Sequence, residues 1–164
     1  MAAKPDLVSL DALPLGYMDR LAEHFTVHAV AEDARRVERL TELAQAVRFV
    51  QTTAFVKTGK DVIEALPRLE IISTMAVGVD SIDTAAARAR NIIVTNTPDV
   101  LNDCVADLAF GLLIATARKL PQAMRYTQEG KWHHGFYPLT TRVSGKRLGI
   151  IGLGRIGQIG RAHV

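Results

Sequence analysis

The chain has 164 residues, of which 48% are hydrophobic and 23% charged, and its net charge at neutral pH is +3. This composition excludes a disordered protein, and the scattered lysines and arginines argue against a nucleic-acid-binding surface. No apolar stretch approaches the roughly 20 residues that a transmembrane helix needs, and the single cysteine, Cys104, excludes an internal disulfide. We therefore expect a cytoplasmic protein without a membrane or nucleic-acid partner, containing one complete domain and part of another.

Short apolar segments alternate with segments of helical period in the first part of the chain. We predict β-strands at residues 7–10, 25–30, 47–55, 69–75 and 91–95. We predict helices between them, at residues 15–23, 33–46, 60–66 and 83–90. Strands that alternate with helices in this way form a parallel sheet. The sequence thus predicts an α/β protein whose first domain, residues 1–97, is a flavodoxin-like, doubly wound parallel sheet.

The alternation stops at Pro98, because proline fixes its own backbone and favours an extended conformation in the residue before it. We place the domain boundary there. Residues 98–164 are then expected to form the amino-terminal part of a Rossmann dinucleotide-binding domain.

A long apolar helix is predicted at residues 102–118, with Asn102 as its N-cap. Two faces of this helix are apolar, and Asp107 is the only charge between Cys104 and Ala117. Such a helix must be covered on two sides. We expect one face to contact its own domain and the other a second subunit; the rest of the domain is the alternative cover.

The segments that follow are shorter. Pro121 suits the first turn of a second helix that ends near Gly130. An irregular arm at residues 132–143 and a strand at residues 147–151 complete the predicted elements.

The predicted strand 147–151 leads directly into a Gly-x-Gly-x-x-Gly pattern formed by Gly152, Gly154 and Gly157. In dinucleotide-binding proteins the first glycine allows a tight turn, the second lets a pyrophosphate approach, and the third lets the following helix pack closely. The N–H groups of Arg155 and Ile156 would then face the phosphates. An ordinary tight turn is the alternative. The residue that selects NAD or NADP would lie about 20 residues further on, so the sequence leaves this choice open.

A second candidate site lies where the predicted strand 69–75 ends. The segment 73–80 contains Gly78 and leaves the carboxyl end of a parallel strand, where ligands bind in open α/β sheets. Consecutive N–H groups in such a turn can bind a small carboxylate. A purely structural turn is the alternative.

Other conspicuous residues indicate no further chemistry. His133 and His134 are adjacent, so they do not share a helix face, and they lack carboxylate or thiolate neighbours in the sequence. Nothing near Cys104 suggests a nucleophile. We predict no metal site.

Several segments together resemble the D-isomer-specific 2-hydroxyacid dehydrogenases, and among them the glyoxylate/hydroxypyruvate reductases most. They are residues 72–80, 96–101, 105–107, Trp132 and residues 149–158, within a similarity that extends from residue 54 to 158. The resemblance implies a first domain that holds substrate, a second that holds NAD or NADP, and an active site between them. It implies that the backbone of Val77 and Gly78 binds the substrate carboxylate, that Val105 touches the cofactor, and that Arg155 and Ile156 hold the pyrophosphate.

The resemblance also implies hydride transfer between NAD(P)H and a small 2-keto or 2-hydroxy acid, of glyoxylate or hydroxypyruvate type. The arginine, glutamate and histidine that perform this chemistry in the family come later in the chain than Val164. No histidine of this sequence matches the family's catalytic histidine, so we expect no catalytic residue here and an inactive amino-terminal fragment. A homodimer through the helix 102–118 and the arm 121–143 is implied as well.

Two other classes of protein are compatible with parts of the pattern. A non-catalytic, dinucleotide-sensing dimeric module would have the same architecture. A receiver domain is disfavoured, because its Mg²⁺ site needs clustered acidic residues at strand ends, and no such cluster is visible at Val30 or Met75.

Overall fold

A computed structural model describes residues 3–14, 16–30 and 34–162. The chain forms two compact units, Met1–Pro98 and Asp99–Val164, which we call the first and second units. Among the described residues no helix combines the length and the apolar character that crossing a lipid bilayer requires.

The first unit is built on a parallel sheet of five strands with the order β2-β1-β3-β4-β5. The strands are β1 (Asp6–Ser9), β2 (Thr26–Ala29), β3 (Val47–Thr53), β4 (Ile71–Met75) and β5 (Ile93–Thr95). The helices are α1 (Tyr17–His24), α2 (Arg36–Glu42), α3 (Lys60–Ala65) and α4 (Thr84–Ala89). This strand order is the flavodoxin-like one, so the predicted fold class is confirmed.

The core of the first unit lies against one face of this sheet. Val8 is in register with Val50, and Val50 with Ile72, and all three side chains are at most 1% exposed. Leu40 of α2 and Ile63 of α3 belong to the same cluster. Burial of such side chains is the main stabilising contribution to a domain of this size.

The predicted helix 33–46 is shorter in the structure, where α2 spans Arg36–Glu42. Leu43 donates to the carbonyl of Leu40, and Ala44 to that of Thr41, so the last turn tightens to i→i+3 bonding and ends the helix. Residues 31–33 lie outside the described residues. The predicted strand 47–55 likewise ends at Thr53.

The second unit contains α5 (Asn102–Ala117), α6 (Leu120–Gln128), a short 3₁₀ segment (Lys131–His133) and α7 (Arg155–Ala162). Pro121 lies in the first turn of α6, as predicted. Helices α5 and α7 pack against each other.

Two sequence predictions are wrong in this unit. Residues 147–151 do not form a strand, because a strand needs a hydrogen-bonded neighbour and the described residues supply none there. Asn102 is not an N-cap: α5 begins at Asn102, with Leu101 in the capping position and no side-chain cap. The Asn102 amide instead donates to Asp99 Oδ1 at 2.9 Å.

Candidate functional site

The chain makes an exposed turn after β4, at residues 76–80, which we call the β4 turn. The end of β5 fixes its first two carbonyl groups: Thr97 N donates to Ala76 O at 2.9 Å. Asn96 Nδ2 donates to Val77 O at 2.7 Å. Because the peptide unit is planar and trans, the N–H that follows each carbonyl points the opposite way. Asn96 and Thr97 therefore fix the direction of the N–H groups of Gly78 and Val77.

These N–H groups are available to a ligand. Val77 and Gly78 are both exposed, and no acceptor within the described part of the chain takes a hydrogen bond from either N–H group. The sequence singled out Val77 and Gly78 but assigned no separate role to Asn96. The sequence gives no signal for this contact, because Asn96 and Val77 are 19 positions apart and only the tertiary structure brings them together.

The far end of the β4 turn is fixed by the loop between β3 and α3. Thr58 N donates to Ser81 O at 2.8 Å, and Asp83 N donates to Thr58 O at 3.0 Å. The Asp83 carboxylate then caps α4 by accepting from Ala86 N at 2.9 Å. Both ends of the turn are thus held while its middle stays exposed.

Gly78 is suited to its place by a close neighbour. A Cβ atom at this position would lie 2.8 Å from Asp80 Oδ2, so any side chain there would displace that carboxylate.

A row of polar side chains crosses the sheet near the β4 turn. Ser9, Gln51, Ser73 and Thr95 are neighbours in register on β1, β3, β4 and β5. Ser9 Oγ lies 2.6 Å from Gln51 Oε1. We did not predict this row, because each of its members is a single polar residue in a predicted strand and only the register brings them together.

The glycine-rich pattern forms a turn at residues 152–157, which we call the glycine turn. Gly152 has a φ of +94°, which strongly favours glycine. A Cβ atom at Gly157 would lie 2.1 Å from the Gly152 carbonyl oxygen, so the helix can approach the turn only with glycine there. A Cβ atom at Gly154 would meet nothing within 4 Å. The space above Gly154 is what a pyrophosphate needs, so these residues fit a dinucleotide.

Helix α7 begins within this turn, at Arg155. Gln158 N donates to Gly154 O at 3.0 Å, and Gln158 Nε2 donates to Leu153 O at 2.9 Å. The N–H groups of Arg155 and Ile156 precede the first helical bond and have no partner within the helix. They lie at the positive end of the helix dipole, which favours an anion.

Val105 lies in the first turn of α5 and is 41% exposed. Its neighbour Ala106 is buried, and together with Ile156 and Gly157 it lines a cavity of about 150 Å³ between α5 and α7. The structure therefore places Val105 one residue from the contact between α5 and the glycine turn.

The two apolar faces of α5 differ in their surroundings. Phe110 and Leu113 face the same cavity as Ile156 and are half-buried. Leu108 and Leu112 are 64% and 57% exposed. We call the exposed side of α5, with the exposed apolar residues that follow it, the α5 surface; it includes Leu108, Leu112, Met124, Trp132, Phe136 and Leu139.

The described residues contain no group of three or more histidine, cysteine, aspartate or glutamate side chains that could hold a metal ion. His28 Nε2 lies 2.6 Å from Asp6 Oδ1 in the sheet, and His133 stacks on Trp132 with ring centroids 3.9 Å apart. Neither histidine belongs to the β4 turn or to the glycine turn.

The fold and the two turns define an α/β protein with a flavodoxin-like first unit and a glycine turn of dinucleotide-binding type in its second. Residues 8–151 match the family model of the D-isomer specific 2-hydroxyacid dehydrogenase, catalytic domain. The chain belongs to this family, which confirms the resemblance stated from the sequence.

Three relatives illustrate the match. Glyoxylate/hydroxypyruvate reductase A from Arabidopsis thaliana is 49% identical over 112 residues, which are 68% of this chain and 36% of that protein. The structure of a 2-hydroxyacid dehydrogenase from Ketogulonicigenium vulgare Y25 has a TM-score of 0.91 and 39% identity, covering 99% of this chain and 51% of that one. An NADPH-dependent glyoxylate/hydroxypyruvate reductase from Sinorhizobium meliloti, in complex with NADP and malonate, has a TM-score of 0.84 and 34% identity, covering 98% and 50%.

The chain spans half or less of the length of the curated relatives that it matches, from 36% to 50%. The structural matches cover a similar share of their chains.

Proposed function

We propose that this chain provides the substrate unit and the first part of the cofactor unit of an NAD(P)-dependent 2-hydroxyacid dehydrogenase that acts on glyoxylate, hydroxypyruvate or a related small acid. The observation that carries the proposal is the pair of exposed, fixed N–H groups in the β4 turn. The relatives named as glyoxylate/hydroxypyruvate reductases support this choice of substrate.

In this proposal the N–H groups of Val77 and Gly78 bind the substrate carboxylate. Hydrogen bonds from N–H groups to a carboxylate are charge-assisted and stronger than neutral ones. Since Asn96 and Thr97 already hold the adjoining carbonyl groups, the donors need no reorganisation when the acid binds.

The glycine turn holds the cofactor pyrophosphate in the same proposal. Gly152, Gly154 and Gly157 give the turn its shape and leave room for the phosphates, while the N–H groups of Arg155 and Ile156 donate to them. Val105 contacts the cofactor from the start of α5. The nicotinamide cofactor, NAD or NADP, supplies the hydride when bound; the complex of the S. meliloti relative with NADP supports its inclusion.

No residue of this chain is assigned a proton-transfer role. Reduction of a 2-keto acid places negative charge on its oxygen, which a positioned acid must protonate. Because no described histidine belongs to either turn, we expect residues 1–164 alone to show no oxidation of NADH or NADPH with glyoxylate or hydroxypyruvate. Clear turnover would contradict this assignment.

The carboxylate site can be tested by amide NMR. In a titration of the ¹⁵N-labelled chain, the signals of Val77 and Gly78 should shift at the lowest glyoxylate concentrations. Glycolaldehyde, which has two carbons but no carboxylate, serves as the matched control and should leave both signals in place. Equal effects of the two compounds, or shifts confined to other residues, would refute carboxylate binding by the β4 turn.

We also propose a homodimer formed through the α5 surface, which includes exposed apolar residues of the arm 121–143. Phe136 and Leu139 are fully exposed, and Leu108 and Leu112 are more than half exposed. Large exposed apolar side chains gathered on one helix and the arm that follows it are typical of an interface. The alternative is that the remainder of a cofactor domain covers the α5 surface.

Light scattering coupled to size exclusion tests the dimer. The unchanged chain should elute as a dimer, and the double variant Leu108→Glu, Leu112→Glu as a monomer. The matched control is Val37→Glu on α2, a 42% exposed apolar residue outside the α5 surface. A monomeric unchanged chain would contradict the proposal.

A cytoplasmic location completes the proposal. The Cys104 thiol is exposed and free, which suits a reducing compartment.

A further inference from the structure

Asp99 is the first residue of the second unit and has an uncommon backbone conformation. Its φ is +68°, a left-handed value that Asp and Asn tolerate better than most residues. The Asp99 carboxylate lies between the starts of two helices. Its Oδ1 accepts from Asn102 Nδ2 of α5 at 2.9 Å and lies 3.0 Å from Arg155 Nε of α7.

From this geometry we propose that Asp99 is a positioning residue for Arg155 in dinucleotide binding. The inference rests on the proposed binding of the cofactor pyrophosphate at the glycine turn. Asp99 holds Arg155 by its Nε atom, which leaves the two terminal Nη groups of the guanidinium to donate to phosphate oxygens. Asn102 holds Asp99 in turn, so the conformation of Arg155 is fixed from α5.

The contact between Asp99 and Arg155 orients the Arg155 side chain but contributes little to the stability of the fold. The side chains of Arg155 and Asp99 are 66% and 55% exposed, and an ion pair so exposed contributes little to folding. A free arginine, however, must lose rotamer freedom when it binds an anion. Asp99 restricts Arg155 before the ligand arrives, and this lowers the entropic cost of binding.

Positioning and simple electrostatics predict opposite results for Asp99→Asn. Removing a negative charge beside a phosphate site should strengthen binding of an anion if charge alone matters. The neutral amide oxygen of asparagine holds the guanidinium less firmly than a carboxylate does. The added freedom of Arg155 should weaken binding, by up to roughly 10-fold, the upper range that corresponds to ordering one long side chain. Asparagine suits a positive φ, so the variant keeps the backbone.

The experiment measures NADH and NADPH binding by the complete chain through nicotinamide fluorescence. Asp99→Asn should bind more weakly than the unchanged chain, and Asn102→Ala should weaken binding in the same direction by a smaller factor. In the Arg155→Ala background, Asp99→Asn should no longer weaken binding, because the loss depends on Arg155. The matched control is Glu129→Gln, which breaks another exposed ion pair of the second unit, Lys131 Nζ to Glu129 Oε2 at 2.6 Å.

The outcomes separate this inference from the proposed function. If the unchanged chain binds neither dinucleotide, cofactor binding at the glycine turn fails and the role of Asp99 fails with it. If the unchanged chain binds but Asp99→Asn binds equally or more tightly, only the role of Asp99 is refuted. A loss that persists in the Arg155→Ala background would also refute it. The NMR signal of the Arg155 Nε–H group should shift in Asp99→Asn if Arg155 contacts Asp99 in solution.

Discussion

The two units of this chain stabilise their candidate sites in different ways. In the first unit a continuous buried cluster under the sheet holds β4 and β5, and those strands in turn hold the β4 turn. In the second unit Ala106 is the only buried hydrophobic residue among those described. The glycine turn is nevertheless tight, because the positive φ of Gly152 and the close approach of Gly157 to the Gly152 carbonyl set its shape locally. The shape of a candidate site can therefore depend on a distant core or on local steric rules alone.

The first prediction tests the difference in side-chain burial between the first and second units, and it has the largest expected effect. Leu66→Ala should lower the free energy of unfolding by about 2–5 kcal/mol, because Leu66 is fully buried and its loss leaves a cavity. The same change at Leu108, which is 64% exposed, should cost under about 0.5 kcal/mol in dilute solution. Urea unfolding measures both. Similar losses would show that Leu108 is buried in solution, against its exposure in the structure.

The second prediction concerns Arg90, which ties α4 to the end of α3. Its guanidinium donates to the carbonyl groups of Ile63, Leu66 and Pro67. Arg90→Ala removes all of these donors and should destabilise the first unit by about 1–3 kcal/mol. Arg88→Ala, an exposed change on the same helix, is the control and should leave the melting temperature unaltered. Equal melting temperatures for the two variants would count against this role of Arg90.

The third prediction tests whether Gly154 is needed for binding a dinucleotide rather than for folding. Gly154→Ala should leave the melting temperature unchanged, since a methyl group there meets no neighbour, but should weaken NADPH binding by about tenfold or more. Gly149→Ala also places a methyl group in open space, outside the turn, and should change neither property. Calorimetry and fluorescence titration measure the pair. Unchanged binding in Gly154→Ala would place the dinucleotide elsewhere.

The smallest effect is expected from an exposed ion pair of the first unit. Arg48 donates to Glu70 at 2.6 Å, and this hydrogen bond lowers the pKa of the Glu70 carboxyl group. Because the pKa is lower in the folded state, the stabilisation is complete above the pKa of an unfolded glutamate. It is lost as the pH falls through the lowered value. The difference in melting temperature between the unchanged chain and Glu70→Gln should be positive at neutral pH and shrink in acid; a constant difference would contradict this.

Local patterns in the sequence were sufficient to predict much of the first unit. Its strands and helices follow from hydrophobic period, and their alternation predicts the flavodoxin-like sheet that the structure confirms. The end of α2 was placed too late, since the i→i+3 bond from Leu43 to Leu40 depends on packing rather than on propensity.

Predictions failed where an element depends on partners outside its own segment. Residues 147–151 have the composition of a strand but no neighbouring strand among the described residues. Asn102 has the side chain of a good N-cap, yet Asp99, at a positive φ, takes its amide. The contacts of Asn96 with Val77 and of Asp99 with Arg155 are likewise not predictable from the sequence, because each joins residues distant in the chain.

The most direct test of the proposed function is one amide NMR titration series of the complete chain with both ligands in turn. We predict that glyoxylate shifts Val77 and Gly78 in the first unit, and that NADPH shifts residues 152–157 in the second. Shifts by both ligands in the same unit, or no saturable shift at either turn, would contradict the assignment of substrate to the first unit and cofactor to the second.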